Sequence, residues 1–219
     1  MLRRTLLGLM LGAGIARMSS AQSANDLIAA AARGEAAEVR RLIAAGAAID
    51  ARDQRGSTAL LVATRANRVD AARVLIEAGA DVNAKDDIHD SPYLYAGAEG
   101  HLEILLLTLA HGADLRSVNR YGGTALIPAA HHGHVETVKA LLRTTIDIDH
   151  VNRLGWTALL EAIILGDGGP KHTEIVRLLI GAGADVNIPD RDGVTPLAHA
   201  QRRGYTAMTK MLQDSGARP

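Results

Sequence analysis

Histidines are concentrated in one short stretch, where His131, His132 and His134 lie within four consecutive residues. Imidazole is the commonest side-chain ligand of transition metals, and a zinc site needs several ligands that converge at fixed distances. Gly133 interrupts the run, and a glycine here ends a helix, so the three rings are not expected on one helical face. The spacing predicts exposed contact residues at His131 and His132 and no metal site. A metal-binding or hydrolytic role for His131–His134 stays open as the alternative.

Acidic residues occur in short runs, such as Asp86-Asp87 and Asp190-Arg191-Asp192. A calcium loop also needs a distant bidentate glutamate, and the sequence lacks that pattern. Asp side chains that stabilise turns explain the runs better. The chain has no cysteine, no Gly-x-Ser-x-Gly elbow and no phosphate-binding glycine loop. The sequence therefore predicts that the protein is not an enzyme and needs no cofactor.

Large aromatic side chains are scarce, since they form 2% of the 219 residues and phenylalanine is absent. Because 47% of the residues are nevertheless hydrophobic, the core must be built from Ala, Leu, Ile and Val. Such a core suits small helices that stack closely. The composition therefore favours repeated helices over a single large globular core.

The first residues have the layout of an export signal. Arg3-Arg4 are followed by an apolar run over 5–16 and by the small residues Ser19-Ser20-Ala21. This order predicts a signal peptide over residues 1–21 that is cleaved after Ala21, and the apolar run is too short for a comfortable membrane span. We therefore expect a periplasmic or secreted protein that does not contact the membrane after cleavage. A cytosolic scaffold is the alternative if the signal is not used.

The arginine pair leaves the export route open, because twin-arginine and general export signals both carry such pairs. Removal of residues 1–21 leaves 21 Lys plus Arg against 24 Asp plus Glu, a net charge of −3. A protein with this charge lacks the basic footprint of nucleic-acid binding, so no nucleic-acid partner is predicted.

A recurring pattern of residues organises the rest of the chain. Thr58, Ser91, Thr124 and Thr157 are each 33 residues apart, and Thr195 follows after 38. An alanine comes five residues after each, and a glycine or asparagine comes nine residues after each. A further half-matching copy begins near residue 25. The period predicts six repeats within a domain over 22–219, at about 25–52, 53–85, 86–118, 119–151, 152–189 and 190–219.

Each recurring residue has a local role. The Thr or Ser is predicted to cap a first helix, and the glycine to end it with a positive φ before a second helix. His89 replaces the turn glycine of the third repeat, so that turn is predicted to be distorted. The insertion over 167–171 is predicted to lengthen the loop between the two helices of the fifth repeat, either as a tolerated loop or as a binding element.

Thr195-Pro196-Leu197, Gly133-His134 and the run over 183–187 resemble the ankyrin repeat, over about residues 24–217. The resemblance implies an all-α solenoid of about six helix-turn-helix repeats joined by short β-turn fingers. The histidine that usually follows Thr-Pro-Leu in the family is replaced by apolar residues, among them Leu61, Leu160 and Ala198. The interrepeat hydrogen bonds of that histidine are therefore not expected here.

The resemblance also implies that the chain binds another protein, of unknown identity, in a concave face lined by finger tips and first helices. We expect it to act as a monomer and as an accessory factor for an exported enzyme. The positions that the family pattern assigns to this face are Gln54, Arg55, Ser57, Arg65, Ala66, Asp87, Ile88, Asp90, Glu99, Arg120, Tyr121, His131, His132, Arg153, Leu154, Trp156, Leu165, Arg191, Asp192, Val194, Arg202 and Arg203.

Trp156, the only tryptophan, precedes a helix cap at a position that normally points out from a finger. Tyr121 and Leu154 hold equivalent finger positions and are predicted to be neighbours, and Arg120 and Arg153 flank them. Trp, Tyr and Arg most often dominate binding energies, although Trp156 packing over the next repeat is the alternative. The predicted contact residues are Arg55, Arg65, Arg120, Tyr121, His131, His132, Arg153, Leu154, Trp156 and Arg191.

Overall fold

The computed structural model describes residues 20–218, so residues 1–19 of the predicted export signal lie outside the described part. Within it the chain forms twelve helices. They are α1 (Ser20–Arg33), α2 (Ala36–Ala44), α3 (Ala59–Arg65), α4 (Val69–Glu77), α5 (Pro92–Ala98), α6 (Leu102–Ala110), α7 (Leu126–His131), α8 (Val135–Leu141), α9 (Ala158–Ile164), α10 (Pro170–Gly181), α11 (Pro196–Arg202) and α12 (Thr206–Asp214).

The helices pair within each repeat and stack between repeats. Odd-numbered helices pack against one another in chain order, and even-numbered helices form a second layer behind them. The only β contact in residues 20–218 is an isolated bridge between Arg52 and Thr58. The predicted all-α solenoid of helix pairs is therefore confirmed. Over the same residues, no helix has both the length and the apolar character that a membrane crossing requires.

The alanines that recur five residues after each predicted cap belong to the buried core of the stacked helices. Ala63, Ala96, Ala129, Ala162 and Ala200 are all 0% exposed. A larger side chain at these positions would separate the stacked helices, because protein interiors are close-packed.

Four of the five predicted helix caps are present. The side-chain oxygens of Thr58, Ser91, Thr157 and Thr195 each accept a hydrogen bond, at 3.2 Å, from the backbone N–H three residues later. Each bond satisfies an amide that the helix itself leaves unpaired, and its loss typically costs about 1 kcal/mol. The cap residues therefore fix where these first helices begin.

Thr124 is the exception, and Pro128 is the physical reason. The Thr124 hydroxyl is buried without a hydrogen-bond partner, and the Ile127 N–H donates instead to the Thr124 carbonyl at 3.3 Å. Proline has no N–H for the carbonyl four residues earlier, and its ring clashes with that carbonyl. The first turn therefore opens, and α7 begins only at Leu126. The cap predicted at Thr124 was wrong because Pro128 overrides it.

The fingers share one hydrogen-bond pattern. The first Asp or Asn of each finger accepts, through Oδ1, the backbone N–H groups two and four residues later. These residues are Asp53, Asp86, Asn119, Asn152 and Asp190. His89 keeps the pattern intact because it adopts a positive φ of 63° like the glycines it replaces. The prediction of a distorted third finger was therefore wrong.

The insertion in the fifth repeat extends a helix. Pro170 and Lys171 form the first turn of α10, which has 12 residues where the other even-numbered helices have 7 to 9. Proline is well placed there, since the first helical residue needs no N–H. The predicted longer loop is present, since residues 165–169 separate α9 from α10 whereas only 132–134 separate α7 from α8. The prediction missed that two of the five inserted residues are helical.

The residues that flank the insertion, Gly166 and His172, form hydrogen bonds with the repeats on both sides. His172 Nδ1 lies 2.8 Å from Asp167 Oδ1, and His172 Nε2 lies 2.8 Å from the carbonyl oxygen of His131 in the preceding repeat. The Tyr205 hydroxyl, in the following repeat, donates to the Gly166 carbonyl at 2.9 Å. The segment over 166–172, which contains the insertion, therefore connects the fourth, fifth and sixth repeats.

Candidate partner-binding groove

A groove of about 380 Å³ lies between three consecutive fingers and the first helices α5, α7 and α9. This volume is in the range of pockets that accept a small molecule or a few side chains. Its walls combine apolar, aromatic and charged residues. They are Asp90, Leu94, Tyr95, Ala98, Glu99, Asn119, Arg120, Tyr121, Gly123, Ile127, Pro128, His131, His132, Asn152, Leu154, Glu161 and Leu165.

Five of the ten predicted contact residues meet in this groove: Arg120, Tyr121, His131, His132 and Leu154. The other five lie outside its lining: Arg55, Arg65, Arg153, Trp156 and Arg191. Asp90, Glu99 and Leu165, which the family pattern assigns to the same face, also line the groove. The structure therefore concentrates the predicted contacts in the third to fifth repeats.

The rim of the groove is unusually apolar for a surface. Tyr121, Leu154 and Leu165 are 54%, 46% and 41% exposed. Tyr121 and Leu154 belong to neighbouring fingers that are joined by a hydrogen bond of 2.9 Å from the Arg153 N–H to the Tyr121 carbonyl. The Arg120 guanidinium carbon lies 5.2 Å from the centre of the Tyr121 ring, within the range of a cation–π contact.

Glu161 brings a carboxylate to the groove from an otherwise apolar stretch of α9. It is 6% exposed. Its Oε1 accepts a hydrogen bond of 2.9 Å from the Asn152 side-chain amide, and its Oε2 lies 3.7 Å from His131 Nδ1. Burial raises the pKa of Glu161, and the bond from Asn152 only partly opposes that rise. The groove thus contains an incompletely paired acid.

The three histidines lie close together without converging on one point. The rings of His131 and His132 are 4.6 Å apart, and those of His132 and His134 are 5.7 Å apart. His132 Nδ1 lies 2.7 Å from the Ala98 carbonyl oxygen. Burial, and then the neighbouring His132 and His172, lower the pKa of His131. Over residues 20–218, no group of three or more His, Cys, Asp or Glu side chains has metal-binding geometry.

The predicted cations outside the groove bind other parts of the protein. Arg65 Nη2 lies 2.6 Å from Asp86 Oδ2 and 3.2 Å from Asp90 Oδ2. Arg153 donates to the Arg120 carbonyl at 3.1 Å, and the Arg191 guanidinium donates to the Arg153 carbonyl. Arg65, Arg153 and Arg191 therefore connect consecutive repeats.

Two positions that directly precede helix caps differ in exposure. Trp156 is half-buried, and its backbone N–H donates to Asn152 Oδ1 at 3.1 Å. Ser57, which occupies the same position three repeats earlier, is 1% exposed. The expectation of an exposed Ser57 was wrong, because its hydroxyl accepts a bond of 3.0 Å from Arg65. Arg55 lies on the surface of the second finger.

Sequence reasoning did not single out Glu161, Asn152 or Pro128. A signal for Glu161 was present, since it is the one charged residue in the apolar run over 158–164. No comparable signal existed for Asn152, whose contact with Glu161 depends on how a finger packs against a helix nine residues away. Pro128 was visible, and the clash of its ring with the Thr124 carbonyl predicts the opened turn.

Comparison with known families finds ankyrin repeats along most of the chain. A model of three ankyrin repeat copies matches residues 5–86 and 93–190, and a model of many copies matches residues 170–213. A curated relative, the ankyrin repeat protein YahD of Escherichia coli (strain K12), is 44% identical over 57 residues. That match spans 26% of this chain and 28% of YahD.

Solved structures resemble the chain over most of its length. An ankyrin repeat domain from Acinetobacter baumannii AYE is 60% identical, with a TM-score of 0.86 over 88% of this chain and 98% of that one. The ankyrin repeat protein EF0377 is 42% identical, with a TM-score of 0.84 over 87% and 97%. The ankyrin repeat domain of Bcl-3, a member of the IkappaB family, is 29% identical, with a TM-score of 0.79 over 88% and 86%.

Proposed function

We propose that this chain, which belongs to the ankyrin repeat family, holds a partner protein in the groove of its third to fifth repeats and catalyses no reaction. Ankyrin repeats are generally protein–protein interaction modules, and the fold is typically non-catalytic. The observation that carries the proposal is the exposed pair Tyr121 and Leu154 beside the buried acid Glu161. Large apolar side chains that surround a single polar group are typical of the centre of a protein–protein interface.

Leaving the apolar rim of this groove in water costs free energy. A rim of large exposed apolar side chains gains free energy when a partner covers it, at roughly 25 cal/mol per Å² of apolar surface removed. The Tyr121 ring supplies a large contact area at a small cost in conformational freedom, and tyrosine and arginine, here Tyr121 and Arg120, are both common at binding hot spots. The groove therefore favours a protein surface that presents apolar contacts together with a polar group.

The setting of this interaction forms a second part of the proposal. The basic, apolar and small-residue order of residues 1–21 supports export, and the mature chain would then act as a monomer in the periplasm or outside the cell. In that compartment it would serve as an accessory factor for an exported enzyme. N-terminal sequencing of the protein recovered from its own cells tests export: Gln22 at the N-terminus supports it, and an intact Met1 contradicts it.

The binding proposal is tested by chemical crosslinking in the producing cells with a C-terminally tagged full chain. The double variant Tyr121→Ala/Leu154→Ala removes the two most exposed of the three apolar rim residues, and Leu106→Ala is the matched control. Leu106 is 49% exposed on α6, in the other helix layer. We expect the wild type and the control to capture the same protein and the double variant to lose it. The recovered partner is then titrated against each purified chain by calorimetry.

Two outcomes would count against the proposal. Equal capture by the wild type and the double variant would place the interface elsewhere. Absence of any crosslinked protein with the wild type would argue against protein binding as the function. Circular dichroism and a thermal melt of each variant separate these outcomes from loss of the fold.

A further inference from the structure

Two of the contacts between consecutive repeats can be compared position by position, because their residues are 66 positions, or two periods, apart. We call them the Arg65 junction and the His131 junction. Each contains a residue near the end of a first helix, the first residue of the next finger and a residue of the next first helix. The corresponding pairs are Arg65 and His131, Asp86 and Asn152, and Tyr95 and Glu161.

The Arg65 junction provides its own cation. The Arg65 guanidinium lies 2.6 Å from Asp86 and 3.2 Å from Asp90, and its carbon lies 5.5 Å from the centre of the Tyr95 ring. The Asp86 side chain is 2% exposed and the Arg65 side chain is 27% exposed, so the carboxylate is screened from water and the arginine is partly so. One arginine thus fills the space between helix, finger and ring and neutralises the acids around it.

The His131 junction has the acid without the cation. The finger residue is the neutral Asn152, and the buried carboxylate comes from Glu161. Among residues 20–218, no side chain or backbone group donates a hydrogen bond to Glu161 Oε2, and His131 Nδ1 stays 3.7 Å away. Burial holds the pKa of His131 below its usual range, so this ring is a weak source of positive charge near neutral pH.

Neighbouring charges do not supply the missing cation. Arg120 lies 3.5 Å from Asp90 and over the Tyr121 ring. Glu99, also in the groove lining, forms no ion pair with another described residue. Asp90 is already paired with both Arg65 and Arg120, so the carboxylates of Glu99 and Glu161 remain in the groove lining without a guanidinium or ammonium partner. The excess of negative charge favours a positively charged ligand.

The His131 junction also has room for a positively charged ligand. Gly123 replaces Ser57, the residue that accepts a bond from the arginine in the Arg65 junction. Imidazole at position 131 is shorter than the arginine at position 65, and the open groove of about 380 Å³ lies at this point. Tyr121 and Leu154 supply apolar walls for the methylene stem of a long side chain.

We propose that the groove accepts an arginine side chain of the partner protein, whose guanidinium bonds to Glu161 Oε2 between the His131 and Tyr121 rings. The inference deepens the proposed function and rests on it, because the proposed function is what identifies the ligand as a protein. Arginine fits better than lysine, because its planar fork donates several hydrogen bonds and stacks on rings. The partner's arginine thus supplies the guanidinium of the His131 junction, as Arg65 supplies that of the Arg65 junction.

The chemistry is tested with a small probe on the purified chain. N-acetyl-arginine methylamide is titrated into isotopically labelled protein, and chemical shifts of the groove residues are followed by NMR. Its neutral isostere N-acetyl-citrulline methylamide and the lysine analogue are titrated in parallel. We expect saturable shifts for the arginine probe, and binding at least about tenfold weaker for citrulline or for the Glu161→Gln variant, because each removes one charge of a buried pair. Equal binding of arginine and citrulline overturns the inference.

The variant His131→Arg separates this inference from the proposed function. It places in the His131 junction the cation that the Arg65 junction already contains, so we expect loss of both the arginine probe and the captured partner. Glu161→Gln is expected to weaken partner binding by about tenfold while the fold is retained. A partner that binds wild type, Glu161→Gln and His131→Arg equally, but not Tyr121→Ala/Leu154→Ala, overturns the arginine inference and leaves the binding function standing.

Discussion

At the Arg65 junction the charged groups pair with one another inside the chain, whereas at the His131 junction the buried Glu161 carboxylate lines the groove and has only His131, 3.7 Å away, beside its second oxygen. The two junctions share the same finger pattern. Substitutions at a few equivalent positions thus turn a structural contact into a candidate binding site. A solenoid tolerates this, because each repeat is stabilised mainly by its neighbours.

The largest expected effect comes from opening the Arg65 junction. Arg65→Met keeps the apolar stem and removes the charge, which leaves Asp86 buried without its partner. Breaking such a pair destabilises a protein by about 2–3 kcal/mol at a partly exposed site. Urea unfolding measures this loss of stability. Arg40→Met, at an exposed position on α2, is the control, and we expect it to change the free energy of unfolding little. A small change for Arg65→Met would mean that this junction is not held by its charges.

The helix starts on the two sides of the groove should respond in opposite directions. Thr157→Val removes a formed cap and is expected to destabilise by about 1 kcal/mol. Thr124→Val removes a buried hydroxyl that has no partner and is expected to stabilise by about 1 kcal/mol. Thermal and urea unfolding of the two variants give the comparison. A loss of stability in both would show that Thr124 forms a cap in solution.

The acid in the His131 junction makes stability depend on pH. Because the pKa of Glu161 is raised in the folded state, its contribution is complete below the unfolded value and is lost as pH rises through the folded value. Glu161→Gln keeps the acceptor for Asn152 and removes the charge. We therefore expect the stability of this variant, relative to wild type, to increase from pH 4 to pH 8. A difference that is constant with pH would show that Glu161 is not perturbed by burial.

The smallest expected effect comes from closing the His131 junction. His131→Arg should pair with Glu161 and raise the free energy of unfolding by about 0.5 kcal/mol, since such partly exposed pairs contribute little. Urea unfolding at pH 7 measures the gain, and high salt should reduce it. The double variant His131→Arg/Glu161→Gln is the control, and an equal gain there would attribute the effect to packing instead of charge.

The period of 33 residues was sufficient to predict the architecture, because caps, alanines and glycines recur at fixed places. Departures arose where one residue acts on another outside the repeat pattern. Pro128 displaces the cap at Thr124, and His89 adopts the φ of a glycine. Half of the predicted contact residues meet in the groove because finger and helix positions follow from the period. Glu161 was missed, since its importance depends on the cation that position 131 lacks.

The inserted segment has a consequence for how the chain comes apart. A stack of repeats usually unfolds from its ends, one unit after another, because coupling reaches only the nearest neighbour. His172 and Tyr205 add bonds from the fifth repeat to the repeats on either side of it. We expect amide protons of the fourth to sixth repeats to exchange with solvent as one cooperative block, later than those of the first repeat. The segment from 166 to 172 would then set the size of the unfolding unit, and the groove would share the longest-lived part of the molecule.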